Sequence, residues 1–135
     1  MSQEAAVLFA NEAFYLAFAT RDLKSMDQIW SRDAAVTCVH PGWRPLYGRD
    51  EVMESWVTIL GNPASPAVEF REARAFLYGD VATVIGYEVI QEGVLAATNT
   101  FVKDGDSWRL VHHHASPVAN SPEFRDEPPQ RGPLM

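Results

Sequence analysis

Three consecutive histidines, His112, His113 and His114, stand in a chain that has only four. Imidazole titrates near neutral pH, moves protons and ligates metals, so the run raises the question of what each ring faces. The stretch "WRLVHHHA" reads as a strand, in which successive side chains alternate between faces. His112 and His114 then share one face and His113 takes the other. Turn positions supply their neighbours. With Gly79-Asp80 as a two-residue turn, Arg71 faces Glu88. With Gly93-Val94 as the next turn, Glu88 faces Asn99. A final loop of two or four residues sets Asn99 opposite His112. Directly opposed residues share a face, so Arg71, Glu88, Asn99 and His112 are expected to form one polar row across four strands. Ala73, Ala75, Gly86, Ala97, Phe101, Leu110 and His114 surround that row. Small residues beside polar ones leave the room that a pocket floor needs.

Two chemistries suit such a row. The metal reading takes His112 and His114, whose Cα atoms lie about 6.8 Å apart at strand rise, with His40 and Glu88 as further ligands. The signal is thin, and no metal and no cofactor are expected. The proton-transfer reading makes His112 a general acid or base. Glu88, in a partly dry pocket, holds the imidazole or acts itself with a raised pKa. Asn99 donates to a carbonyl or enolate oxygen. This set fits isomerisation, dehydration or aldol-type cyclisation of a small carbonyl compound. The same residues also read as a row that only binds or holds structure, with Arg71 neutralising Glu88 and Asn99 satisfying His112. Parity carries the assignment: a bulge flips one strand, and Arg71, on the long first strand, is most exposed to that slip.

Elements must position these residues. Residues 3–20 hold good helix formers with no Gly or Pro, and predict a helix apolar on most sides. Asp22 caps a short second helix carrying Leu23, Met26, Ile29 and Trp30. "AAVTCVHPG" reads as a strand stopped by Pro41-Gly42. A third helix runs from about Asp50 to Leu60, with Gly61 as its cap. The period then changes from 3.6 to 2, and four antiparallel strands follow as a meander. Helices laid over one face of a curved antiparallel sheet predict an α+β architecture. Tyr15, Trp43 and Trp56 are placed to line or cap the pocket, with core packing the favoured role for Trp56. His40 sits before "PGW" at the pocket mouth or in a surface turn. Cys38 is read as a buried, inert thiol.

The opposite face of the sheet carries Ile85, Tyr87, Val89, Thr98, Thr100, Val102, Phe70 and Phe76, with His113. No segment remains to cover it, so a homodimer through this face is expected. The chain divides into a domain over residues 1–117 and a Pro-rich extended or disordered tail over 118–135. The net charge of -7, with no Lys/Arg cluster, argues against nucleic acid as a partner. No apolar run suits a membrane span, Glu4 and the lack of a basic start argue against a signal peptide, and the lone cysteine fits a reducing compartment. A cytoplasmic protein is expected.

The segments "IWSRDAAVTCVHPGWRPLYGRDEVMESW" and "TNTFVKDGDSWRLVHHHASPV" resemble the nuclear transport factor 2-like superfamily in its SnoaL-like branch, which also includes relatives of ketosteroid isomerase and scytalone dehydratase. The second segment is also similar to the association domain of calcium/calmodulin-dependent protein kinase II. The resemblance covers about residues 5–117. It implies a cone-shaped barrel of helices and bent sheet around a pocket, most often in a homodimer, and no metal. It is specific for fold and weak for activity, since the superfamily hosts enzymes, binders and assembly modules. In the association domain, the positions matching Glu88 and Asn99 carry arginines, so an anionic ligand is less expected here. The expected function is binding of a small, neutral, largely apolar compound, with proton-transfer chemistry on it left open. A non-catalytic association module is the alternative, and a chain with no second domain beside this one favours the former.

Overall fold

The computed structural model describes residues 1–124. Helix α1 (Gln3–Thr20) starts at Ser2, whose hydroxyl accepts from the Ala5 N–H, as its N-cap preference requires. It ends at Arg21, which takes the left-handed conformation. Arg21 then reaches across to the C-terminal end of α3 (Arg49–Gly61) and donates to the carbonyls of Leu60, Asn62 and Ser65. These are the carbonyls that a helix end and the loop after it leave without partners. Between them, α2 (Leu23–Ile29) begins at Asp22, whose carboxylate accepts from the Ser25 N–H.

Six strands form one mixed sheet in the order β2-β1-β6-β5-β4-β3. The meander is β3 (Glu69–Tyr78), β4 (Val81–Ile90), β5 (Gly93–Asp104) and β6 (Ser107–Pro117). The strand expected around "AAVTCVHPG" contracts to β1 (Thr37–Val39), which runs parallel to β6, and β2 (Leu46–Tyr47) adds an outer antiparallel pair. The sheet is therefore mixed rather than wholly antiparallel, and it stays open rather than closing into a barrel. Three helices pack on it in an α+β cone. The core between them holds Val7, Phe14, Trp30, Trp56, Phe101 and Leu110, all essentially inaccessible. One apolar stripe of α1 enters this core; Phe9 and Leu16, on the other, are 65% and 64% exposed. With one sheet to cover, α1 buries one side only.

Register departs from the expected pairing in three places. The β4–β5 turn lies at Gln91-Glu92, since Ile90 pairs with Gly93, so Glu88 lies opposite Leu95. The shift is even and keeps Glu88 and Asn99 on one face. The other two departures are bulges and change faces. Between Arg71 and Arg74, β3 carries two residues against Gly86 alone, with Glu72 at φ 59°. Phe70 therefore pairs with Glu88 and turns inward, while Arg71 pairs with Tyr87 and turns outward. On β6, Phe101 faces Leu110 but Thr100 faces His112, so Val111 is the extra residue. His113 is thereby brought opposite Asn99, and His114 opposite Thr98.

Beyond β6, Val118 donates its N–H to Val94, and Phe124 lies on the outer face. Its ring is 5.4 Å from that of Tyr87 and lies under the Arg71 guanidinium. The remainder of the expected tail, 125–135, falls outside the described residues.

Candidate active site

The polar row of the sheet floor is Glu88, Asn99 and His113, each at most 2% exposed. Asn99 is its hinge. Its amide oxygen lies 2.6 Å from His113 Nδ1, and its Nδ2 donates to Asn11 Oδ1 (2.9 Å) and to the Tyr15 hydroxyl (3.1 Å). With both Nδ2 protons given away, Oδ1 can only accept, so the proton of a neutral His113 sits on Nδ1. His113 Nε2 is left with a bare lone pair, 3.5 Å from Glu88 Oε2. Tyr15 donates to the same carboxyl oxygen at 2.7 Å. Burial decides the charges. It pushes the Glu88 carboxyl up to about 7, against the lowering effect of the Tyr15 hydrogen bond. It presses the His113 imidazole well below its ordinary value, helped by neighbouring histidines. Burial and the Glu88 charge raise the Tyr15 phenol well above its own. The pair is a carboxyl that titrates near neutral pH beside a neutral imidazole.

Glu88 and His113 open onto a cavity of about 380 Å³. Phe18, Ile59, Val68, Ile90 and Leu95 give it apolar walls, and Trp43, 42% exposed, stands at its mouth. Among the described residues no Lys or Arg lines it. His40 also lines it, 3% exposed, with its ring edge-on to Trp43 and Trp56, each at 4.9 Å. His40 Nε2 is 2.9 Å from the Ser55 hydroxyl, and burial lowers its pKa to about 4. Cys38 beside it is fully buried, its thiol pushed up to about 12 by burial.

Of the residues singled out in the sequence, Glu88, His40 and Trp43 line this cavity. Asn99 and Tyr15 hold its floor from behind, while Trp56 and Phe101 pack in the core. Three are placed elsewhere. His112 lies on the outer face, its Nδ1 2.6 Å from the Thr37 hydroxyl, and His114 is exposed beside it. Both are displaced by the Val111 bulge. Arg71 is on the outer face too, turned there by the Glu72 bulge, with Glu69 at 3.3 Å. It therefore does not neutralise Glu88. His113, expected outside, takes the inner position. Asn11 and Ser55 were not anticipated. Asn11 had a signal: it sits four residues after Val7 and three before Phe14, a polar side chain on an apolar helix stripe. Among the described residues no three His, Cys, Asp or Glu side chains converge to hold a metal. Nor, among them, is any helix long and apolar enough to cross a membrane.

A six-stranded sheet under three helices, with a buried carboxyl–imidazole pair at the end of an apolar cavity, defines a nuclear transport factor 2-like protein. Residues 7–120 match the SnoaL-like domain family, and the chain belongs to it. Among solved structures it is similar to a candidate dehydratase of the nuclear transport factor 2-like family from Streptomyces avermitilis. That pair is 32% identical over 87% of this chain and 96% of the other, with a TM-score of 0.79. It is also similar to a candidate calcium/calmodulin-dependent protein kinase type II association domain from Thiobacillus denitrificans, at 33% identity, over 81% and 92% of the two chains and with a TM-score of 0.74. The F-box protein SKIP8 of Arabidopsis thaliana is 26% identical over 113 residues, 82% of this chain. This chain spans about half the length of that curated relative, 49%.

Proposed function

We propose that this protein binds a small, neutral, largely apolar carbonyl compound in the cavity and catalyses proton transfer on it, as an isomerase, dehydratase or cyclase. One observation carries the reading: His113 Nε2, bare because Asn99 fixes the tautomer, lies 3.5 Å from the Glu88 carboxyl at the cavity floor. Two groups whose environments push their pKa values in opposite directions are suited to opposite roles. His113 Nε2 takes a proton from the carbon beside the carbonyl. The Glu88 carboxyl gives its proton to the carbonyl oxygen, or to a leaving hydroxyl, which departs as water. His113 Nε2–H then returns its proton to the Glu88 carboxylate and resets the pair. Asn99, whose polar atoms are all committed inside the protein, is a positioning residue rather than an oxyanion donor. A cavity lined, among the described residues, by neither Lys nor Arg favours an uncharged ligand over an anionic one. Similarity to the Streptomyces candidate dehydratase supports this class of reaction.

Deuterium uptake tests the reading. Small cyclic ketones incubated in heavy water with the protein should exchange their α-hydrogens faster than in buffer. Glu88→Gln or His113→Asn should remove the acceleration. Uptake no faster than buffer across the panel, or equal in the variants, would sink it.

The association-module alternative draws on the Thiobacillus similarity and on the outer face, where Ile85 is 46% and Val81 39% exposed. A second copy of the chain is the partner we propose for that face, compatible with a working cavity. Ile85→Lys should lower the molar mass seen by light scattering. A wild-type monomer at micromolar concentration would refute the interface.

A further inference from the structure

We propose that His40 is a specificity-determining residue: its Nδ1, a hydrogen-bond acceptor in the cavity that His113 also lines, selects hydroxylated carbonyl compounds over their deoxy analogues. The inference rests on the cavity being the ligand site, and it adds what the ligand must carry.

The tautomer of His40 follows from its partners. The Ser55 hydroxyl has one proton and donates it to the Val52 carbonyl at 2.6 Å, one turn back on α3. Its oxygen can then only accept from His40, so His40 carries its proton on Nε2, 2.9 Å away. Nδ1 is left as an acceptor. The Cys38 thiol, a weak donor, lies 3.9 Å from it and closer, at 3.5 Å, to Nε2. Ser55 is thus a positioning residue for His40, as Asn99 is for His113. The same logic runs in mirror image on the two rings: one is protonated at Nε2 and bare at Nδ1, the other protonated at Nδ1 and bare at Nε2.

Both rings line one cavity, with centroids 6.1 Å apart. His40 is wedged edge-on between Trp43 and Trp56, so the ring is fixed rather than free to turn away. Burial keeps it neutral at physiological pH, so it stays an acceptor. An acceptor buried in an apolar pocket is poorly served by a ligand that cannot donate. A site built to bond a hydroxyl discriminates strongly against the analogue lacking one. A carbonyl compound with a hydroxyl a few bonds away meets both needs: the hydroxyl donates to His40 Nδ1, and the carbon beside the carbonyl presents its hydrogen to His113 Nε2.

The test compares 1-indanone, 3-hydroxy-1-indanone and 3-methoxy-1-indanone, with binding read from tryptophan fluorescence or calorimetry. Wild-type protein should bind the hydroxy compound about tenfold or more tighter than the other two, the methoxy group being an acceptor only. His40→Phe keeps a ring between the two tryptophans. It should erase that preference, bringing the affinities of the three ketones within about twofold of one another. Ser55→Ala frees the tautomer and should shrink the preference without disturbing the ring contacts. Equal affinity of the three ketones for the wild type, or an unchanged preference in a folded His40→Phe, overturns the His40 role alone. Failure of all three to bind at millimolar concentration overturns the cavity reading, and this inference with it. The ligand-side comparison needs no variant to fold.

Discussion

Asn99 Oδ1 and His113 Nδ1 lie 2.6 Å apart across two strands whose register slips by one residue at Val111. The bond fixes at once the orientation of the amide, the tautomer of the ring and the direction in which the ring's basic nitrogen points. It is also wholly buried, so its loss is felt as orphaned polar groups rather than as a hydrogen bond exchanged for water. Asn99→Leu leaves His113 Nδ1–H and Asn11 Oδ1 without their partner. At about 1–3 kcal/mol for each buried group left unsatisfied, the variant should lose roughly 2–5 kcal/mol in urea unfolding. A loss under about 1 kcal/mol would show that the network is not closed in the way the distances imply.

The two neighbouring histidines should respond very differently. His113 is 1% exposed and packs against Phe14 with ring centroids 5.1 Å apart; His112 is half-buried on the outer face. His113→Asn should lower any proton-transfer rate by about 10²–10⁴, the usual worth of a general acid or base. His112→Ala should leave rate and ligand affinity within about twofold and act, if at all, on association. Steady-state rates for the two variants, each checked for folding by circular dichroism, decide the matter. A rate-dead His112→Ala beside an active His113→Asn would reverse the assignment.

What the sequence yields and withholds follows from where its information lies. The start of α2 is written in the capping side chain of Asp22, and the turn at Gly79-Asp80 in a glycine at positive φ, so these two boundaries are legible. The β6 bulge is not. Val111 is an ordinary strand residue, and its role shows only in parity. Trp108, Leu110, His113 and Ala115 are all buried, and two even positions followed by two odd ones on one face require an extra residue between them. A histidine can sit on either face, so "HHH" hides the slip that an apolar alternation would reveal. The β3 bulge has no glycine to mark it, since Glu72 stands there, and only the length of the strand points to a slip on it. By contrast, Glu88 and Asn99 are placed correctly although the turn between them falls elsewhere, because an even shift preserves the face.

That second bulge makes its own prediction. Glu72 holds a left-handed conformation at φ 59°, which favours glycine. Glu72→Gly should therefore stabilise the protein or leave it unchanged, within about 1 kcal/mol, where glycine in a regular strand would destabilise it. Opposite, Gly86 must stay small. A Cβ there would lie 2.7 Å from the Phe70 ring and 2.9 Å from the Arg71 carbonyl. Phe70 stacks on Tyr15 at 4.4 Å, and Tyr15 bonds Glu88, so Gly86→Ala reaches the site through two contacts. It should cost about 1–3 kcal/mol, the usual range for overpacking, and should shift the pH dependence of activity. Thermal melts of both variants test the pair, and destabilisation by Glu72→Gly comparable to that of Gly86→Ala would contradict the bulge.

Stability should depend on pH in a way that isolates Glu88. Its carboxyl titrates near 4.5 when exposed and near 7 in the folded protein. Between those values the folded state holds a proton that the unfolded state has lost, so stability falls as pH rises through the window and levels off above it. The full cost at high pH is of order 3 kcal/mol, from the free energy equivalent to that displacement. His40 works in the other direction. Folded, it gains a proton only near 4, while unfolded it does so near 6.5, so its contribution grows as pH rises between the two. His113, pressed below its ordinary value, adds in the same sense. The wild-type profile is the sum of these opposed slopes. Glu88→Gln removes only the falling component. The variant should match the wild type most closely near pH 4.5, then gain on it steadily up to about pH 7, and hold a constant difference beyond. Urea unfolding of both proteins at half-unit intervals from pH 4.5 to 8 provides the measurement, and the difference between the two curves is the quantity of interest, because the His40 contribution cancels in it. A difference that does not change with pH would place the Glu88 carboxyl in the ordinary range and remove it as the general acid at neutral pH.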